Sequence, residues 1–341
     1  MLDQFVCVRL VRMNRVDLNQ FQFDYDQTWS VMFLRPDGAV IARYGSRTES
    51  DAMSLNSMDG LKLTMLRVLE ADEQWPVVKQ HYADKRGPLA KFERPEKIPS
   101  ETIAKIKGRE GNGGCIHCHN VYDAHRDYAI SKGNYDPYER WKYPLPRNIG
   151  IEVDPVLGTE ISAVIPGSAA EDAGFCVGSE VFAVEGQRVH SLADIQFALH
   201  HAQEQAQLEV TTKSEQVLKT HSVTLAPGWR RVEIGWRASM YGMPPKPRLW
   251  VQSATTEEKR KLNIANDRLA LKVRGAFGKE VARELKKGDV IVQFGDRSDH
   301  HTEGQFHAAV RLNYFRPDSV LPLTVIRGDK QLEVRVHFAN Q

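Results

Sequence analysis

Apolar residues in this chain fall mostly into short alternating runs broken by glycine and proline, with fewer stretches at helical spacing. Residues 5–11 (FVCVRLV) read as a strand. In WSVMFLRPDGAVIARYGSR two apolar runs flank Pro36-Asp37-Gly38, a turn composition, and predict a hairpin. Residues 57–71 (SMDGLKLTMLRVLEA) place apolar side chains at helical spacing. Residues 85–100 (KRGPLAKFERPEKIPS), rich in proline and charge, predict a linker. Ser100 opens a short helix ending at glycines 111, 113 and 114, and NVYDAHRDYAISKG predicts a helix that stops at Gly133. YDPYERWKYPLPRN then reads as an aromatic, proline-rich connector.

Residues 147–226 and 248–338 read as an internal repeat. Each copy is a set of glycine-punctuated strands with one late helix. VIPGSAAEDAG in the first copy and KKGDVIVQFGDR in the second resemble PDZ domains of the bacterial HtrA/Deg type. The resemblance implies that an extended peptide adds as a strand to an open sheet edge. It also implies that backbone N–H groups of an x-Φ-G-Φ loop hold the peptide's C-terminal carboxylate. Asn148-Ile149-Gly150-Ile151 fits that form, with glycine allowing close backbone approach. The opposite wall is expected from the helix beginning near Ser191, with Phe197 and Ala198 lining it. In the second copy Trp250 of Arg248-Leu249-Trp250-Val251 replaces the glycine, so carboxylate capture is expected of the first copy rather than the second. The alternative for both copies is a domain that docks on its own neighbours. Proteolysis does not carry over from the HtrA/Deg resemblance: no G-x-S-x-G segment occurs, and no stretch is left for a two-barrel catalytic domain.

The order of elements in residues 1–80 resembles the C-terminal part of a thioredoxin-like domain. No Cys-x-x-Cys precedes its helix, and Thr28-Trp29 stands where thioredoxins hold a cis proline, so dithiol activity does not carry over. The reading is therefore an α+β multi-domain chain: a partial thioredoxin-like α/β segment (1–84), a linker with a small helical CxxCH segment (85–146), a first PDZ domain (147–230), and a connector with a second PDZ domain (231–341).

Composition narrows the partners. A net charge of +2 over 341 residues, without a basic stripe, gives no footprint for nucleic acid. No apolar run approaches the roughly 18–20 residues that cross a bilayer. Asp3, Arg9, Arg12 and Arg15 break up any signal-peptide core at the start. Cys7 and Cys176, each alone among apolar residues, are expected to be buried thiols.

The remaining cysteines stand in GNGGCIHCHN, residues 111–120. C-x-x-C-H is the attachment signature of c-type haem. On that reading Cys115 and Cys118 bind haem c covalently and His119 ligates the iron. Zinc is the rival, with His117 and His125 as further donors, although structural zinc sites generally use two separated pairs. A dithiol or disulfide is the third reading. His117 is expected to be exposed and His125 to be a solvated helix residue. No methionine lies between Met65 and Met240, so a sixth iron ligand is not evident; Met240, Met243 and His81 are the candidates.

FQFDYDQTWSVMFL, CIHCHNVYDA, YPLP and GWRRVEIGWRASM together resemble multi-domain proteins of planctomycete-type bacteria that join a thioredoxin-like segment, a CxxCH segment and tandem PDZ domains. The resemblance implies an exported, periplasmic or otherwise extracytoplasmic protein whose native start lies upstream. Its expected role is electron transfer or redox sensing, with peptide binding through the first PDZ domain and a possible redox partner. One alternative is a non-redox scaffold whose CxxCH is a zinc or disulfide staple. Another is a thiol oxidoreductase completed by upstream sequence.

Overall fold

The computed structural model describes residues 1–49, 51–109, 114–204, 207–314 and 319–337, and packing divides the chain into two units, Met1–Val232 and Glu233–Gln341. Glycines 111 and 113, proposed as a helix end, lie outside the described residues.

The first unit opens with a correction. FVCVRLV forms no strand: among the described residues no strand pairs with residues 5–11, and Val6 and Val8 are 94% and 77% exposed. An apolar, β-branched run alone does not make a strand, because its backbone groups need a partner ladder. Cys7 is accordingly exposed rather than buried.

The hairpin forms as expected. Strand β1 (Val31–Leu34) pairs antiparallel with β2 (Val40–Tyr44), and Gly38 takes φ +81° in the turn. Helix α1 (Met58–Glu73) starts at Ser57, whose side chain accepts from the Gly60 N–H. The spacing of Met65, Val68 and Ala71 puts all three on one face, which packs with Phe33, Ile41, Tyr44 and Tyr82. The short α2 (Trp75–Val78) and a 3-10 turn, Lys79–Lys85, follow.

The expected linker is packed structure. Lys85 and Ile98 are fully buried, the Leu18 N–H donates to Glu93 O at 2.8 Å, and the Ala90 N–H donates to Asn19 Oδ1 at 2.7 Å. Met13, Val16, Leu18 and Tyr25 share one core with Ile98, Ile103, Ile106, Ile116, Val121 and Ala124. The expected boundary at 84/85 is thus crossed by a common core. Apolar residues spaced among the prolines fill it; the prolines only shape the path. Helices α3 (Glu101–Lys107, capped by Ser100) and α4 (Cys118–Ser131) belong to it.

The first copy follows a 3-10 turn at Pro146–Ile149. Strands β3 (Ile151–Val153) and β4 (Ile161–Val164) pair antiparallel. Helix α5 (Ala169–Asp172) leads to β5 (Glu180–Val184) and β6 (Gln187–Arg188). Helix α6 (Leu192–His201) precedes β7 (Gln207–Ser214) and β8 (Val217–Thr224), in a sheet of order β6-β5-β7-β8. Ile151, Ile161, Val181, Ile195, Leu199, Val210 and Val223 fill the interior. Cys176 is exposed, a second correction.

The second unit runs β9 (Leu249–Ser253), α7 (Thr256–Lys261), β10 (Leu271–Ala276), α8 (Lys279–Glu284), β11 (Val290–Phe294), α9 (Glu303–Asn313), β12 (Val320–Arg327) and β13 (Lys330–His337). Its sheet has the order β13-β12-β11-β10-β9. Apart from α7, and with the single bridge Phe294–Arg297 standing where the first copy has β6, the order of strands and helices repeats that of the first copy. A lead-in tyrosine also recurs. Tyr143 stacks on His200 (centroids 4.2 Å) while its carbonyl accepts from Gln196; Tyr241 packs edge-on to His307 (5.4 Å) while its carbonyl accepts from Arg311.

Candidate peptide groove and CxxCH loop

Strand β3 and helix α6 are the expected walls of the candidate groove, and both contribute to the domain core. The Ile165 N–H donates to Gly150 O at 2.8 Å, so the bonded pairs facing β4 are 150/165 and, by alternation, 152/163. The N–H and C=O of Ile151 therefore point to the opposite edge of β3. Among the described residues no strand pairs that edge.

The loop ahead of β3 is built for rigidity. Gly150 has φ +103°, and an added Cβ would collide with the Ser168 side chain, so glycine is required here by backbone shape and close packing. Its N–H donates to Arg147 O (3.1 Å) and that of Asn148 to Leu145 O (2.9 Å). The Asn148 side chain donates to Trp229 O and Arg231 O, at 2.7 and 3.0 Å, tying the loop to the end of the domain. Ile149 and Ile151 are buried at 2% and 0% exposure.

Phe197 and Ala198 lie on α6 but not alike. Ala198 joins the domain core, whereas Phe197 is covered by the Arg43 guanidinium, 3.4 Å from the ring centroid. Four of the expected groove residues are thus brought together at the start of β3, and Phe197 faces residues from the chain's first hundred.

The cover over α6 is polar as well as aromatic. Asp194, fully buried, accepts from the Arg43 N–H (2.9 Å), Lys85 Nζ (2.6 Å) and the His190 N–H (3.0 Å). Ser191 donates to Arg43 O, and Tyr82 Oη lies 2.7 Å from His190 Nε2. Burial dominates the protonation of this cluster. It pulls Lys85 down to about 8 against the opposing attraction of Asp194, holds His190 well below the usual histidine range, and lifts the Tyr82 phenol to about 12. The sequence reading missed this cluster. Ser191-x-x-Asp194 is visible as a helix start, but Lys85 and Arg43 stand more than a hundred residues away in stretches read as linker and hairpin.

In the CxxCH loop, Cys118 is the first residue of α4 and Cys115 stands three residues before it, both half-buried. Burial raises the Cys118 thiol. The Nδ1 of His119 lies 3.2 Å from Asp123 Oδ2, and that hydrogen bond raises the His119 pKa. Asp123 is itself fixed by Arg126. His117 is exposed, its ring parallel to that of His119 at 6.1 Å. His125 is not a solvated residue: it is half-buried near Phe92, and burial takes its pKa down to about 4. Among the described residues no group of three or more His, Cys, Asp or Glu is placed to hold a metal ion, so the zinc donors do not converge.

Residues 160–212 match the family model described as PDZ domain, a span running from the start of β4 into β7. The first copy therefore contains a PDZ domain, a fold suited to binding proteins or peptides. No curated protein matches the chain. No described helix is long and apolar enough to cross a membrane.

Proposed function

We propose that the chain is a protein-binding component that takes an extended peptide of a partner as an added strand along β3, between β3 and α6. The observation that carries this is the outward N–H and C=O of Ile151 on an edge that no strand pairs among the described residues. Main-chain pairing would supply affinity, and the apolar floor of Ile151 and Val153 would select the side chains facing it. The second unit, with its matching element order, we read as a second PDZ-like domain; the expected replacement of the glycine by Trp250 is corrected, because Arg248, at φ +48° and with its carbonyl accepting from the Phe277 N–H, stands just ahead of β9 as Gly150 does ahead of β3, while Trp250 lies inside β9 opposite Gly275. The test uses peptides selected by the full-length chain from a displayed random library. Resynthesis with N-methyl groups at alternate amides should weaken binding at least about tenfold in one of the two phases, since only every second amide faces β3. Equal binding in both phases would refute strand addition.

The hydrogen bond from His119 Nδ1 to Asp123 favours a second reading beside the first. Cys115 and Cys118 would hold haem c through thioethers, and His119 would offer Nε2 to the iron while Asp123 fixes its tautomer and ring orientation. Such a group supplies one-electron chemistry. That suits a role in electron transfer or redox sensing at an extracytoplasmic location, with a redox partner. Protein matured in an exporting host should show a Soret band that survives acid–acetone extraction, and Cys115→Ala with Cys118→Ala should abolish it. Stoichiometric zinc without pigment would favour a zinc staple, and a reversible disulfide without pigment would favour the dithiol.

A further inference from the structure

The groove of the first PDZ domain has a neighbour from its own chain. Ile151 is 0% exposed although its backbone faces an edge that no strand covers among the described residues, so something other than a described strand shields it. Leu55 packs against the PDZ core, to which both β3 and α6 contribute, although it is distant in sequence from that core. The residues around Leu55 reach both walls. Ser46 donates to Gln196 Oε1 on α6 at 2.6 Å, and an added Cβ at Gly60 would come within 3.0 Å of Pro155 O, just past β3. Glu49 pairs with Arg147, in the loop ahead of β3, at 3.8 Å.

Asn56 holds the segment in shape. Its side chain accepts from the Ser46 N–H (3.0 Å) and donates to Ser46 O and to Ala52 O (3.1 Å). The Met53 N–H donates to Asp51 Oδ1 at 2.8 Å, closing a turn just before Leu55. An apolar side chain is thus presented to the PDZ core from a turn pinned at both ends.

We propose that residues 51–57 are an internal pseudo-ligand: Leu55 covers the groove in cis, and a partner peptide binds by displacing it with an aliphatic side chain of its own. This rests on the strand-addition reading above. Segment 51–57 makes no backbone pairing with β3, so it shields the groove without satisfying its edge, which an incoming strand would do. The groove is then open in only a fraction of molecules, and apparent affinity falls by that fraction.

The test compares the full-length wild type with Leu55→Asp and Leu55→Ala. The probe is a fluorescent pool of random decapeptides with a free C-terminal leucine, and deuterium uptake of the peptide containing Ile151 is followed in parallel. Leu55→Asp should bind the pool at least about tenfold more tightly, Leu55→Ala less so, and Ile151 should exchange faster in both. Equal affinity across the three proteins would overturn the pseudo-ligand while leaving strand addition standing. If none binds, strand addition fails, and exchange at Ile151 decides the cover alone: faster in the variants upholds it, unchanged overturns it.

Discussion

Replacing Asp194 with alanine removes one carboxylate and strands three donors. Lys85 Nζ, the Arg43 N–H and the His190 N–H all give their hydrogen bonds to it, and Lys85 and Asp194 are both wholly buried. Breaking a buried ion pair from one side costs about 3–5 kcal/mol. Each orphaned backbone N–H adds about 1–3 kcal/mol where water cannot reach it. A loss of about 5 kcal/mol or more is therefore expected for Asp194→Ala. Lys85→Met should cost less, about 3 kcal/mol, because the carboxylate keeps its two backbone donors and methionine fills much of the same volume. Urea unfolding, followed by hydrogen exchange of the segment containing α6, measures both within the first unit. The sign with pH gives a second check. The folded pKa of Lys85, about 8, lies below its ordinary value of 10.5, so the unfolded chain binds the extra proton between them and stability rises with pH across that window. Lys85→Met should lose that rise. Equal costs for the two substitutions, or both below about 1 kcal/mol, would refute the view that this pair anchors the N-terminal segment to the PDZ helix.

Gly150→Ala should destabilise the first unit by about 2–4 kcal/mol, from the positive φ and the collision with Ser168, read as a lower urea midpoint; a change under about 0.5 kcal/mol would contradict the geometry. His125, lowered to about 4 by burial, makes the first unit less stable as pH falls from 6.5 through 4, because the unfolded chain takes up the proton first. His125→Gln should flatten that part of the pH profile, and an unchanged slope would count against it. Asp123→Asn should lower the His119 pKa in an NMR titration, since the carboxylate hydrogen bond is the main cause of its rise.

Local chemistry was legible and long-range partnership was not. The turn at Pro36-Asp37-Gly38, the helix starts at Ser57, Ser100 and Ser191, and the PDZ-like strand and turn after residue 160 all follow from residues within a few positions of one another. FVCVRLV misled because its apolar, β-branched run is real but a strand is a property of a pair. KRGPLAKFERPEKIPS misled because composition reports average polarity. Lys85 is sunk by Asp194, and Ile98 by a core assembled from three stretches of the chain. The glycine of the expected groove loop, Gly150, is explained by Ser168, a contact no spacing in the sequence displays.

The tyrosine ahead of each repeat bears on how this chain should be cut. A fragment trimmed to the family match would discard β3, β8 and the segment carrying Tyr143, stripping part of the cover from α6 and leaving β7 without β8, one of its two neighbours. Exposed aromatic and strand edges of that kind promote self-association. Tyr241 likewise precedes the strands of the second unit and touches α9 through His307 and Arg311, although it is exposed where Tyr143 is buried. Fragments for expression should begin before Tyr143 and before Tyr241, and a graft of either domain into another protein should bring its lead-in segment along.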